Sequence, residues 1–263
     1  MFAVMLQRWH EIAFLHWSCD PALLRSRLPR QLQADTFEGK AWVSLTPFLL
    51  TGLRPPLFPH RLGFAFPEMN LRTYVSGPDG PGIWFFSLDA AHLLAVVGAR
   101  AVFGLPYFRA EMSVDIGARE NVYFSERGRQ AKARIRIAKQ DPITAPSLLD
   151  VFLTARFRLY STVRGQLITA KVAHPPWQLN GARVIEFEEN VRRVMGVEFP
   201  SNDFLVHHSL GVDTRIGRPR TVGAVYDRPP MSKPIDRGRS FFEAARYRAC
   251  ASRTAPTVKF VPA

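Results

Sequence analysis

The sequence of 263 residues is poor in cysteine and has no apolar run long enough to cross a membrane. Its two cysteines, Cys19 and Cys250, lie far apart and neither has a CxxC partner, so no thiol metal site is indicated. A disulfide and two free thiols are both compatible with that spacing, and free thiols in a reducing cytoplasm are the plainer reading. The opening MFAVMLQRWHEIAFLHW is apolar, yet Arg8, His10 and Glu11 interrupt it. It lacks a basic head and a small-residue cleavage site, so it reads as mature structure rather than a signal peptide. GxGxxG and GxxxxGK[ST] are missing, so neither a dinucleotide nor a nucleoside-triphosphate site is expected. HExxH and a G-x-S-x-G elbow are missing too, leaving metalloprotease and serine-hydrolase chemistry without local support. No metal and no cofactor are expected.

Acidic residues are also in short supply. Lys and Arg number 35 against 22 Asp and Glu, a formal net charge of +13. That excess invites a nucleic-acid hypothesis. Its distribution weakens the idea, because residues 215 to 263 alone hold 11 Lys and Arg against 3 acids. This end, with TRIGRPR and YDRPPMSKPIDRGRS, has the composition of a loose extension. FFEAARYRACAS, from Phe241, reads as a short terminal helix.

What the sequence does contain is a 47% hydrophobic fraction arranged mostly in short strand-like runs. KAWVSLTPF (40–48) and MNLRTYV (69–75) alternate. The latter stops at SGPDGPG, and IWFFSL (83–88) returns, which makes a hairpin. SLDAAHLLAVVGARAVF (87–103) shifts to helical spacing, with Ser87 or Asp89 as cap and Gly104 with Pro106 as stop. Segments 109–116, 121–126 and 130–138 read as a meander, and 147–154 as a short helix. Segments 155–163 and 166–174 form a second hairpin around Arg164-Gly165, and 204–213 closes the body. Many strands with one main helix indicate an α+β, mainly antiparallel fold: a barrel or curled sheet with helices against it.

The most informative segment is PEMNLRTYV (67–75). On a strand, Glu68, Asn70, Arg72 and Tyr74 share one face while Met69, Leu71, Thr73 and Val75 share the other. The polar row is either a solvated outer face or the lining of a barrel interior. Inside a barrel, Arg72 would need a carboxylate or a ligand anion, because an unpaired buried charge is costly. Tyr107, Arg109 and Glu111 share a face after the helix, as a pocket wall or as a surface ladder. His174 reads as an acid, base or donor near neutral pH, or as a structural hydrogen bonder. Trp177 reads as core or pocket wall.

FLHWSCDPALLRSRLP, DTFEGKAWVSLTPF, PEMNLRTYV, PGIWFFSLDA, GARAVFGLPYFRAEM, RFRLYS and AHPPWQL, in that order, resemble the YqjF-like bacterial family of unknown function over residues 5 to 215. The resemblance implies membership of the acetoacetate decarboxylase-like superfamily, and with it a cone-shaped, mostly antiparallel β-barrel around an internal pocket. Acetoacetate decarboxylases form a Schiff base on a pocket lysine whose neighbouring lysine lowers its pKa. The corresponding stretch here, Leu105 to Arg109, has no lysine. The chain's six lysines are Lys40, Lys132, Lys139, Lys171, Lys233 and Lys259, no two adjacent, and arginine is no substitute nucleophile. Lys171 is the one candidate for a relocated amine. By the same resemblance, Glu68 looks like the counterpart of the superfamily's pocket glutamate.

The domains expected are a barrel over residues 1–215 and a basic extension over 216–263. The expected partner is a small anionic or carbonyl-bearing molecule. Glu68 and Tyr107 would handle protons, and Asn70, Arg72, Tyr74, Arg109, His174 and Trp177 would bind. A non-enzymatic sensor or carrier is the alternative, and a nucleic-acid or acidic-partner binder using the tail is the third. Neither a membrane nor nucleic acid is an expected partner, the expected location is cytoplasmic, and homo-oligomerisation is left open.

Overall fold

The computed structural model describes residues 2–198 and 204–222. The chain begins with β1 (Ala3–Cys19), α1 (Ala22–Arg25), β2 (Gln33–Ala34) and β3 (Ala41–Arg54). A hairpin follows, β4 (Phe64–Gly77) with β5 (Gly80–Ala90), and then α2 (Leu93–Phe103). A short β6 (Tyr107–Arg109) leads to a meander of β7 (Glu111–Ile116), β8 (Glu120–Arg127) and β9 (Ala131–Pro142). After α3 (Leu148–Thr154) come β10 (Arg158–Val163), β11 (Gln166–Ala173), β12 (Asn180–Glu189), α4 (Val191–Val194), β13 (Leu205–Gly217) and β14 (Arg220–Thr221).

Seven of these strands pair in a closed ring. The order is β1–β3–β4–β5–β10–β11–β13, and β13 returns to β1. Only the β5–β10 step in this ring is parallel, with Leu159 opposite Ile83. β13 also pairs β12, which continues the sheet through β9, β8 and β7. The main core lies on the outward faces of β1, β3 and β4. Leu15, Trp17, Val43, Leu45, Met69 and Leu71 pack there against Tyr123, Ile135 and Ile137 of the outer sheet. Each such side chain contributes about 1.5–3 kcal/mol by leaving water.

β1 carries the feature that shapes the barrel. Glu11 has φ +47°, and the β1–β3 register shifts between His10 and Leu15. This is a bulge, and one inserted residue flips the alternation. Met5, Gln7 and Trp9 face inward before it, and Ile12 faces inward after it. Gly211 lies opposite, at φ +122°, where a Cβ would come within 1.8 Å of the Trp9 carbonyl oxygen. Only glycine fits that crossing.

Both hairpins, the meander and the 147–154 helix appear where the sequence places them. Ser147 and Asp150 form a reciprocal capping box on α3. The main helix starts later than expected. Ser87 to Ala90 belong to β5, buried on both faces, and the helix cap is His92, whose Nδ1 accepts from the Ala95 amide at 3.4 Å. Asp89 is not a helix cap, because its carboxylate is buried on β5 and pairs with Arg127. Gly104 ends the helix in the left-handed region, as expected. Described strands run past residue 215, and β14 docks on β11. The terminal helix from Phe241 and Cys250 lie outside the described residues. No helix among the described residues is long and apolar enough to cross a membrane.

Candidate functional site

The barrel encloses a cavity of roughly 260 Å³. Alternation along β4 builds one wall, with Phe64, Phe66, Glu68, Asn70 and Arg72 all facing the cavity. The intervening Met69 and Leu71 pack into the core between barrel and outer sheet. The polar row is therefore interior lining: Glu68 is 3%, Asn70 6% and Arg72 7% exposed.

Three members of this row are held in unusual states. Glu68 Oε2 accepts a hydrogen bond from the Tyr107 hydroxyl at 3.1 Å. Burial pushes the Glu68 carboxyl up to about 8, against the restraint of hydrogen bonds from Tyr107 and Asn70. Burial and the adjacent Glu68 raise the Tyr107 phenol well above its ordinary value. Both groups hold their protons at neutral pH. Asn70 Oδ1 and Arg72 Nε are buried and have no hydrogen-bond partner among the described residues. Such atoms cost free energy until something binds them.

Arg72 differs from Arg156 and Arg158; Arg54 also lines the cavity with a buried unpartnered Nε, its Nη1 donating to the Gly52 carbonyl at 3.0 Å. Arg156 Nη1 is 2.7 Å from Asp35, and its Nε donates to the Phe152 carbonyl. Arg158 lies 3.9 Å from Asp79. No carboxylate pairs with Arg72 among the described residues. Its guanidinium instead lies 5.5 Å from the Phe14 ring centroid and 6.0 Å from that of Tyr74, a cation–π setting that holds the cation without neutralising it.

Beyond Arg72 the barrel is closed by a second polar network. Tyr74 is fully buried, and its hydroxyl donates to the Leu153 carbonyl at 2.8 Å and contacts Ser44 Oγ at 2.7 Å. Ser44 Oγ in turn lies 2.5 Å from His16 Nδ1. Burial, His207 and Arg72 hold His16 well below its ordinary pKa, so the ring is neutral. Tyr74 thus supports the closed end and does not line the cavity.

His174 and Trp177 do line it. His174 Nδ1 donates to the Pro175 carbonyl at 2.8 Å, and burial lowers its pKa, leaving a neutral imidazole. Trp177 Nε1 donates to the Thr154 carbonyl at 3.1 Å, and its ring stacks on Trp9 with centroids 5.9 Å apart.

Arg109 is exposed and lies off the cavity wall. β6 ends at Arg109, and buried Ala110 breaks the strand before β7, so the face shared by Tyr107, Arg109 and Glu111 does not persist. Lys171 is exposed, and none of Lys40, Lys132, Lys139 and Lys171 lines the cavity. Trp9, Thr46, Arg54, Arg156 and Arg158 line it without having been singled out in the sequence. The alternation of Arg156 and Arg158 in ARFRLYS was the available signal. Among the described residues, no group of three His, Cys, Asp or Glu side chains could hold a metal ion.

Comparison with known proteins bears on this arrangement. The chain is 42% identical over 216 residues to the uncharacterized protein YqjF of Bacillus subtilis (strain 168), covering 80% of this chain and 89% of that one. Among solved structures it resembles an acetoacetate decarboxylase from Legionella pneumophila at TM-score 0.61 and 15% identity, covering 84% of this chain and 89% of that one. It also resembles the enduracididine biosynthesis enzyme MppR complexed with pyruvate, at TM-score 0.59 and 15% identity over 86% and 93% of the two chains. An acetoacetate decarboxylase-like enzyme from Sphingomonas wittichii RW1 matches at TM-score 0.59 and 11% identity over 86% and 95%. These likenesses show an acetoacetate decarboxylase-like fold. A family profile described as an uncharacterized conserved protein, DUF2071, matches residues 6–213, and the chain belongs to that family.

Proposed function

We propose that the cavity binds a small organic carboxylate, with a carbonyl beside it, and acts on it without a Schiff base. The observation that carries this reading is Arg72, a buried guanidinium on the cavity wall with an unpartnered Nε and no carboxylate against it. A ligand carboxylate would supply the missing anion through charge-assisted hydrogen bonds. Asn70, with Nδ2 engaged by Glu68, offers the substrate its unpartnered Oδ1.

Glu68, protonated at neutral pH, is set to donate a proton to a developing oxyanion. Hydrogen bonds from Tyr107 and Asn70 fix the carboxyl on the cavity wall. The neutral His174 imidazole also lines the cavity, held by the backbone of Pro175 and Arg156. This set suits enolisation, dehydration or hydrolysis. An amine nucleophile is not part of it, because no described lysine reaches the lining. MppR, a neighbour of the same fold, carries pyruvate in its structure, which supports a 2-oxo acid as first probe.

Titration calorimetry with pyruvate and acetoacetate tests the reading. Arg72→Ala is expected to abolish binding while leaving the thermal transition cooperative. Equal affinity in wild type and Arg72→Ala would overturn the assignment. A non-enzymatic carrier would share the Arg72 contact but leave every bound acid unchanged, so product analysis after prolonged incubation separates the two.

A further inference from the structure

The cavity changes character along its length. Its polar groups, Glu68, Asn70 and Arg72, sit where the wall is almost fully buried. Toward the other end of the same β4 row come Phe66 and then Phe64, which is 41% exposed. Four residues of strand separate Glu68 from Phe64, about 13 Å of wall with no charged side chain on the cavity face. The Phe64 ring lies 4.3 Å from that of His92, the cap of α2, so helix and strand meet at this end.

α2 completes the apolar passage. Ala95, Gly98 and Ala99, at i, i+3 and i+4, line the cavity as one face of the helix. Gly98 is not needed for backbone geometry. A Cβ built there meets no atom within 4 Å, and Gly98 is exposed, so the space beside it opens toward solvent at the cavity mouth. In a helix interior that choice costs about 1 kcal/mol relative to alanine. Beyond this face, Leu94 is 65% and Val102 54% exposed, and both also line the cavity. Leu94 and Val102 thus carry the apolar lining out to the cavity mouth.

We infer that the ligand is an amphipathic monocarboxylic acid, with its carboxylate on Arg72 and an extended alkyl or aryl body lying over Ala95, Gly98 and Ala99 toward the Phe64–Leu94 rim. The inference rests on the proposed role of Arg72 as anion anchor, and adds the substrate class. A short hydrophilic acid would leave the passage filled with water against apolar walls. A dicarboxylate would set its second charge against the apolar side chains of Phe66 and Phe64; Arg54, which also lines the cavity, already donates Nη1 to the Gly52 carbonyl.

The test is a homologous series of straight-chain acids (acetate, butanoate, hexanoate and octanoate) titrated at pH 7 into wild type, Gly98→Leu, Leu94→Glu and Arg72→Ala. Affinity is expected to rise roughly threefold to fourfold for each added CH2 in wild type. Gly98→Leu fills the open space and is expected to weaken octanoate at least tenfold more than acetate. Leu94→Glu, at an exposed position with little cost to folding, is expected to weaken octanoate selectively as well. A series flat in chain length, yet lost in Arg72→Ala, would overturn the amphipathic ligand and leave the anion site standing. A rising series indifferent to both Gly98→Leu and Leu94→Glu would place the body elsewhere and also overturn it. Binding unaffected by Arg72→Ala across the series would bring down the anchor itself.

Discussion

Two glutamates in this barrel lie within reach of several polar side chains, and the fold treats them in opposite ways. Glu11, on the bulge of β1, is surrounded. Its Oε2 receives Lys139 Nζ at 2.8 Å, His208 Nε2 at 2.8 Å and Asn121 Nδ2 at 2.9 Å. Those partners outweigh burial and pull its carboxyl down to about 2. Glu68 has a phenol and an amide, no cation, and is pushed up to about 8. The Glu11 cluster pins the bulge to the outer sheet, with Tyr123 donating to the Glu11 carbonyl at 2.6 Å. Its donors are spent on the fold. In the Glu68 row, Arg72 and Asn70 keep atoms in reserve. The contrast lies in charge: cation and amide donors hold Glu11 ionised within the fold, while Glu68 faces the cavity with no cation beside it.

The sharpest way to break that contrast is to neutralise each glutamate. Glu11→Ala takes the acceptor from His208 and leaves Lys139 only the Gly117 carbonyl, and is expected to destabilise by about 2–4 kcal/mol, read by denaturant unfolding. Glu68→Gln removes a carboxyl whose folded pKa lies above its unfolded value. Such a group binds a proton in the fold between about 4.5 and 8, so stability falls as pH rises through that window. Glu68→Gln is therefore expected to stabilise by up to a few kcal/mol at pH 9 and to have little effect at pH 4.5. The sign for Glu11 is reversed. Its stabilisation is present above its ordinary pKa and lost as pH falls toward about 2, so wild type is expected to lose stability below pH 4.5 more steeply than Glu11→Gln. Arg72→Ala is expected to change stability by less than about 1 kcal/mol or to raise it, because it removes a buried charge without a partner. Tyr107→Phe is expected to raise the Glu68 pKa further, shifting the pH–rate profile to higher pH with stability altered by about 1 kcal/mol.

The sequence was most legible where alternation was strict. From Pro67 to Val75 every second residue is polar and a Gly-Pro turn follows, so the two faces of β4 and their occupants could be written down. What alternation left open was which face points inward, because that depends on the pairings that close the ring. β1 was illegible because Glu11 flips its parity midway, which hid Trp9 as a wall residue. Asp89 and Ala90 read as the start of the helix because Asp89 passes for a cap, whereas it is buried on β5 and pairs with Arg127. Arg109 was misplaced because the strand breaks at Ala110, a tertiary event with no turn residue to announce it. Tyr74 sat in the right row but one step past the end of the cavity, where Ser44 and Leu153 claim its hydroxyl.

The central claim is a carboxylate site served by Arg72 and Glu68 with no amine nucleophile. Borohydride trapping with pyruvate and acetoacetate, read by intact-protein mass and peptide mapping, tests it most directly. The account predicts no reduced adduct under conditions where calorimetry registers Arg72-dependent binding. An adduct mapped to Lys171, or to any other lysine, would contradict it and return the protein to Schiff-base chemistry.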